Sequence, residues 1–300
     1  MICVENATKR FGKFAAINNI SCNIQDGRIY GLVGVNGAGK STLLRTMTGI
    51  YKCDEGRVTL DGSPVFDNPY VKRKIAFVPD ELYLPSSATL SSMADRYSAL
   101  YPKFNYSRFT KLISDFELKL KKPFNQFSKG MKRQAATALA LSLETKYIFF
   151  DETFDGLDPF KRNYVKQIIA EDVRQRGATA VITSHSLREL EDSCDQLALL
   201  NRGGLVFESD TAQLKTSRFK VQIAFSESFG EEKFKELDVI SFKKQGAVAN
   251  LIVDGDRDIT LEKLRAMSPA LLEVLPMTLE EVFTYELEVR GLVSLGGDVL

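Results

Sequence analysis

The sequence predicts an α/β protein built on a mostly parallel sheet, followed by a smaller α+β domain. Three observations carry this. Two continuously apolar runs, Tyr147–Phe150 and Ala178–Thr183, flank a helical pattern at Lys161–Gln175, as strands buried on both faces of a parallel sheet do. Strand-like Arg28–Val33 passes through a glycine-rich turn into helical Lys40–Thr48. Beyond Ser217 the elements follow the order β-α-β-β-α-β.

In chain order, Ile2–Glu5, Ala16–Ile24 and Arg28–Val33 read as strands, separated by turn signals at Phe11-Gly12-Lys13 and Asp26-Gly27. The helix Lys40–Thr48 is closed by Gly49, and Asp54-Glu55-Gly56 with Asp61-Gly62 frames a hairpin strand at Arg57–Leu60. Ile75–Val78 is a strand stopped by Pro79. Helices are expected at Met93–Tyr101, Tyr106–Phe116 and Lys129–Ser142, then at Lys161–Gln175 and Leu187–Cys194. Gln196–Leu200 and Leu205–Glu208 form a hairpin around Asn201-Arg202-Gly203-Gly204. In the second domain Lys220–Phe225, Asp238–Lys244, Val248–Val253 and Leu271–Leu275 read as strands, with helices at Glu231–Leu237 and Leu261–Met267, a ferredoxin-like pattern. A last helix is expected at Glu280–Glu288. The expected division is a first domain over 1–216 with a helical subdomain over about 86–145, an accessory domain over 217–288, and a tail over 289–300.

Composition narrows the function. Forty Lys and Arg against 39 Asp and Glu argue against an electrostatic nucleic-acid binder, which would carry a marked basic excess. The single His excludes His-rich metal sites and two-His mechanisms. Cys3, Cys22, Cys53 and Cys194 are scattered and read as small apolar residues in a reducing compartment. No apolar run approaches the roughly 18–20 residues that span a bilayer, and the charged start lacks a signal-peptide pattern. A cytoplasmic location is expected, with any membrane role reached through a partner.

Gly34-Val35-Asn36-Gly37-Ala38-Gly39-Lys40-Ser41-Thr42 fits the Walker A pattern G-x-x-x-x-G-K-[ST] between a strand and a helix. Glycines let the backbone approach phosphate oxygens, and the N–H groups opening the helix point at the anion, aided by roughly +0.5 charge at the helix N-terminus. Lys40 would reach the β- and γ-phosphates, and the Ser41 hydroxyl would complete a Mg²⁺ shell. Tyr147–Phe150 followed by Asp151 and Glu152 has the Walker B layout: Asp151 beside the metal, Glu152 able to polarise an attacking water.

With further motifs in order, the chain resembles the nucleotide-binding subunit of an ATP-binding-cassette (ABC) transporter. Phe127-Ser128-Lys129-Gly130-Met131 resembles the family signature, Gly156-Leu157-Asp158-Pro159 the D-loop, and Thr183-Ser184-His185 the switch-His loop. Phe11 stands where the family places an adenine-stacking aromatic, and Asp80 in Val78-Pro79-Asp80 stands at the Q-loop. Read alone, Ser128 is an ordinary helix N-cap, Asp158 the start of an Asp-Pro turn and Phe11 an edge aromatic. The resemblance covers about residues 1–215 densely. The stretch Met277-Thr278-Leu279-Glu280-Glu281-Val282-Phe283 resembles single-cassette ATPases that pair with a separate export-type permease.

The resemblance implies a P-loop NTPase core with a mixed sheet, an antiparallel β subdomain and a helical subdomain. It implies ATP and Mg²⁺ as ligands and hydrolysis to ADP and phosphate. Glu152, His185 and Lys40 would be catalytic. Phe11, Gly34, Asn36, Gly37, Ala38, Gly39, Lys40, Ser41, Thr42, Ser128, Gly130 and Asp158 would contact nucleotide, and Ser41, Asp80 and Asp151 would hold the metal. The implied partners are a second cassette, either another copy or a paralogue, and an integral-membrane permease that holds the chain at the inner face of the cell membrane. The sequence departs from the family at three places: Asp80 for the usual Gln, Lys129 and Met131 in the signature, and Thr153 where a Pro follows the catalytic Glu. The alternatives are a soluble ABC-type regulatory ATPase without a membrane partner, one acting on ribosomes or nucleic acid, or a degenerate nucleotide-binding regulatory cassette with weak hydrolysis. A single cassette, the absence of a long coiled-coil insertion and the neutral charge speak against the ribosomal form.

Overall fold

A computed structural model describes residues 1–211, 218–275, 278 and 280–283. The expected boundary at Ser217, the residues Met277 and Leu279, and everything from residue 284 onward lie outside them. The chain divides into two compact units, Met1–Glu208 and Ser209–Val299.

The first unit holds two sheets. The antiparallel one has the order β2-β1-β4-β5, from Ile2–Phe11 (β1), Phe14–Ile24 (β2), Glu55–Leu60 (β4) and Ser63–Pro64 (β5). Strand β1 runs to Phe11, well past the expected Glu5. Register shifts after Val4 and the left-handed Asn6 (φ 49°) absorb the polar Glu5-Asn6 pair without ending the strand. Asp61 and Gly62 both take positive φ, as the tight β4–β5 hairpin requires.

The second sheet is six-stranded. Its strands are Ile29–Val33 (β3), Ile75–Val78 (β6), Tyr147–Phe150 (β7), Thr179–Ser184 (β8), Gln196–Asn201 (β9) and Gly204–Asp210 (β10). Their order is β10-β9-β3-β8-β7-β6, and β9, β3, β8, β7 and β6 run parallel. Every residue of β3, β7 and β8 is buried, as their unbroken apolar character predicts. Between the sheets, Ile17, Ile20 and Val58 join Tyr147, Phe149 and Val181 in one core with Leu43, Leu44 and Met47 of Lys40–Met47 (α1).

Pro69–Lys72 (α2) is a single turn, and the helical layer comprises Leu90–Leu100 (α3), Tyr106–Asp115 (α4) and Lys129–Ser142 (α5). Side chains cap the long three: Thr89 and Ser92 form a reciprocal capping box, Asn105 accepts from Arg108 N–H, and Ser128 from Met131 N–H. Pro159–Arg176 (α6) is capped by Asp158, which accepts from Lys161 N–H at 3.0 Å. Leu187–Leu190 (α7) is one turn, shorter than the expected run to Cys194. The Leu190 carbonyl collects the N–H groups of Ser193 and Cys194, turning Cys194 into the core beside Gly31. No helix among the described residues is long and apolar enough to cross a membrane.

In the second unit Arg218–Ala224 (β11), Val239–Gln245 (β12), Val248–Asp254 (β13) and Leu271–Leu275 (β14) form an antiparallel sheet in the order β12-β13-β11-β14. Ala249, Leu251 and Val253 alternate inward toward Phe219, Val221 and Ile223, and toward Leu261 and Leu264 of Arg257–Ala266 (α8). The expected helix Glu231–Leu237 is only a 3₁₀ turn, Glu231–Phe234. That turn buries Phe234 alone and has no side-chain cap, too little to hold an amphipathic helix.

Candidate active site

The sheet topology gathers the motif residues. Val33 lies in register with Ser184, and Phe150 with Ile182, so the chain leaves β3, β7 and β8 at one carboxyl edge. Ligands of open α/β sheets bind outside that edge. There a cleft of about 320 Å³ is lined by Phe11, Phe14, Ala16, Asn36, Gly37, Gly39, Lys40, Ser41, Thr42, Asp80 and Glu152.

The loop before α1 is built by its own packing as much as for a ligand. A Cβ on Gly34 would stand 2.4 Å from the Leu200 carbonyl oxygen, and one on Gly39 2.4 Å from that of Ala16. Those two glycines therefore serve close approach of the protein to itself. At Gly37 (φ 84°) the space around a Cβ is open, so its glycine answers the backbone conformation and the cleft. No side chain caps α1 at Gly39, which leaves first-turn N–H groups for an anion. Ala38 is buried and its own N–H donates to the Val35 carbonyl at 3.0 Å, so it contributes loop shape.

Lys40 is buried, donating to the Gly34 carbonyl at 2.6 Å and standing 3.0 Å from Glu152 Oε1. The other Glu152 oxygen accepts from His185 N–H at 3.2 Å and lies 3.0 Å from His185 Nδ1. Glu152 itself is left-handed (φ 46°), pinned by donating its N–H to Thr183 Oγ1 at 3.0 Å. For a non-glycine residue that conformation costs about 1–2 kcal/mol, and such strain clusters at functional sites. The Thr183 hydroxyl donates in turn to Asp151 Oδ1 at 2.9 Å, and Ser41 Oγ donates to the same oxygen at 3.0 Å.

Asp151 is fully buried, and its Oδ2 has no hydrogen-bond partner among the described residues. Burial pushes its carboxyl up, against the pull of the Thr183 and Ser41 hydroxyls. An orphaned buried carboxylate oxygen beside a serine hydroxyl is an all-oxygen donor set suited to a hard divalent cation, so these residues fit Mg²⁺. Burial and the Glu152 charge likewise raise Asp155, 3.9 Å from His185 Nδ1.

His185 is raised from its ordinary value, chiefly by its hydrogen bond to the Glu152 carboxylate. A raised folded-state pKa contributes stability that is fully present below about pH 6.5 and lost as pH rises through the higher folded value. His185→Ala is therefore expected to lower the unfolding midpoint most at pH 6 and progressively less toward pH 8.5. A gap that is constant with pH would remove the ion pair from the account.

Three residues outside the motif readings, Phe14, Tyr51 and Arg133, shape the site together with Thr183 of the switch-His loop. Phe14, 65% exposed, joins Phe11 at the β1–β2 hairpin and lines the cleft, while Tyr51 meets the Phe11 ring edge-on at 5.4 Å. Thr183 joins both acidic residues. Arg133, on α5, holds Asp80: its Nη2 donates to Asp80 Oδ1 at 2.8 Å and its Nη1 to the Pro79 carbonyl at 2.9 Å. Asp80, expected only as a metal contact, thus lines the cleft as half of an ion pair. Two aromatics at one hairpin tip were a readable signal; nothing in the spacing pairs residues 80 and 133.

Ser128, Gly130 and Asp158 do not line this cleft. Ser128 and Asp158 are exposed N-caps, and Gly130 lies so near the Gly156 carbonyl that a Cβ would stand 2.9 Å from it. Beside the cleft, an apolar groove of about 460 Å³ is lined by Phe77, Pro79, Tyr83, Tyr97 and Leu139 among others, with Tyr83 91% exposed.

A glycine-rich loop on an uncapped helix, with a buried lysine and a strand-end acidic pair, defines a P-loop nucleotide-binding ATPase. The family model described as ABC transporter matches residues 17–155. The ABC transporter ATP-binding protein YtrB of Bacillus subtilis (strain 168) is 28% identical over 283 residues, 94% of this chain and 97% of that protein. The probable sulfate/thiosulfate import ATP-binding protein CysA of Chlorella vulgaris is 31% identical over 211 residues, 68% of this chain and 89% of that protein. In fold, the chain is similar to the dimeric post-hydrolysis structure of the ATP-binding cassette MJ0796 bound to ADP and Pi. That likeness has a TM-score of 0.65 and 24% identity, covering 70% of this chain and 99% of the other. The chain belongs to the ABC transporter family, in its ATP-binding, ATP-hydrolysing class.

Proposed function

We propose that the chain powers export through a separately encoded membrane permease, two cassettes closing head to tail over ATP and reopening after hydrolysis. The observation that carries this reading is the incompleteness of the cleft. Ser128 and Gly130 open a 14-residue helix outside it, at an exposed N-terminus suited to phosphate. A second cassette, another copy or a paralogue, would bring its own Ser128 and Gly130 equivalents to the γ-phosphate, with Asp158 at the seam.

Within one cleft, Lys40 and the loop N–H groups neutralise the phosphates, with Asn36, Ser41 and Thr42 around them, and Phe11 stacks on adenine with Phe14 beside it. Ser41 and Asp151 would hold Mg²⁺, with Asp80 at the cleft wall. Bound there, the ion would supply charge neutralisation for the phosphates. Glu152 accepts a proton from the attacking water or orients it, and His185 holds the γ-phosphate while fixing the Glu152 carboxylate. Gly34, Gly37, Ala38 and Gly39 shape the cradle.

The apolar groove supports a membrane partner. It is roomy, bears exposed Tyr83, and shares the segment after β6 with the cleft, so a permease helix seated there would adjoin the nucleotide. Such docking would place the chain at the cytoplasmic face of the membrane. Outward direction rests on the resemblance of the stretch from Met277 to Phe283 to single-cassette, export-type ATPases. Affinity purification from detergent-solubilised membranes is expected to recover a polytopic membrane protein. Recovery of ribosomes alone, or of the free chain alone, would overturn the reading in favour of a regulatory ATPase without a membrane partner.

A further inference from the structure

We propose that Arg133 is the counter-charge and positioning residue for Asp80, and that without it the Asp80 charge weakens ATP binding. The inference rests on reading the cleft as the nucleotide site. Titratable side chains lining the cleft are one cation, Lys40, and two anions, Asp80 and Glu152, with Asp151 buried behind them. ATP would add several more negative charges. Glu152 is compensated from within by Lys40 at 3.0 Å. Asp80 is compensated from outside the cleft by Arg133, whose side chain is 1% exposed against 46% for Asp80.

The grip has two prongs, one on the Asp80 carboxylate and one on the Pro79 carbonyl, and a planar guanidinium suits this better than an ammonium. The remaining nitrogen, Nε, is buried with no partner among the described residues. Arg133 thus relies on Pro79 and Asp80 for its hydrogen bonds, and a buried guanidinium left without its anion would be costly. Placement makes the pair more than local. Asp80 lines the cleft, Pro79 lines the apolar groove, and Arg133 sits on the helix that Ser128 opens. One side chain therefore ties together the cleft wall, the groove wall and the signature helix. A glutamine at position 80 would need no such counter-charge.

The test is ATP affinity by calorimetry in EDTA, where neither metal binding nor hydrolysis contributes. Arg133→Gln is expected to weaken ATP about tenfold, the size of one unit charge acting across ~10 Å in a partly solvated site. The loss should shrink as salt rises. Asp80→Asn alone, which leaves the guanidinium uncompensated beside the phosphates, is expected to tighten ATP. The double variant Asp80→Asn with Arg133→Gln should return to within about twofold of wild type.

Unchanged affinity in Arg133→Gln, or a loss that persists in the double variant, would overturn the proposal and leave Arg133 a packing residue. Should Arg133→Gln fail to fold, Asp80→Asn decides alone: unchanged or weaker binding overturns the charge role. A wild-type chain that bound no ATP would instead overturn the reading of the cleft.

Discussion

Glu152→Gln is expected to bind ATP and to hydrolyse it at least about a hundredfold more slowly than wild type, the lower end of what a positioned general base contributes. Glutamine keeps the shape of the side chain but cannot take a proton from water. The geometry explains why binding should survive. Lys40 stays anchored to the Gly34 carbonyl at 2.6 Å, and the loop and Ser41 do not depend on the Glu152 charge. Losing the anion also releases Lys40 from its 3.0 Å partner, which favours the phosphates further. With closure permitted and hydrolysis stopped, the variant should run as an ATP-dependent dimer on gel filtration. Phosphate release at the wild-type rate would sink the base assignment; a monomer in ATP would sink the dimeric reading.

Gly39→Ala is expected to destabilise the chain by about 3 kcal/mol or more, whether or not nucleotide is present. The new methyl would meet the Ala16 carbonyl oxygen at 2.4 Å, with Ile17 and Leu200 side chains at 3.2 and 3.3 Å, on a backbone at φ 106°. Backbone atoms cannot step aside cheaply, so strain from the dihedral adds to overpacking. Gly37→Ala makes the contrast. With open space around it, only the φ of 84° is penalised, about 1–2 kcal/mol. Urea midpoints of the two variants without nucleotide check this. Equal midpoints would mean that the loop relaxes freely around Gly39.

Much of the first unit was legible because its physics is local. The apolar runs that became β7 and β8, the strand β6 stopped by Pro79, and the helix α5 opened by Ser128 all carry their own signals. The readings that changed depend on partners distant in sequence. Strand β1 continues past its polar pair because β2 and β4 hold it on both sides. Helix α7 stops after one turn because Cys194 is needed beneath Gly31. In the site, the residue types were readable while their pairings were not. Asp80 and Arg133 lie 53 positions apart, and Thr183 reaches Asp151 across 32. The glycines of the loop were assigned to phosphate approach, yet two of the three are claimed by neighbouring backbone.

The strand order has a consequence for how this site tolerates change. The cradle leaves β3 and the acidic pair leaves β7, and these strands are not neighbours: β8 lies between them. Hydrogen-bonded strands sit about 4.8 Å apart, so two such steps act as a ruler between cradle and carboxylates. That spacing is written in main-chain hydrogen bonds, which no single side-chain replacement resets. What a replacement can reset is how the interval is bridged: Ser41 and Lys40 reach across it to Asp151 and Glu152, and Thr183 near the end of β8 pins both acids from the strand between. The distance between the halves of the site belongs to the backbone, while their alignment belongs to these few side chains.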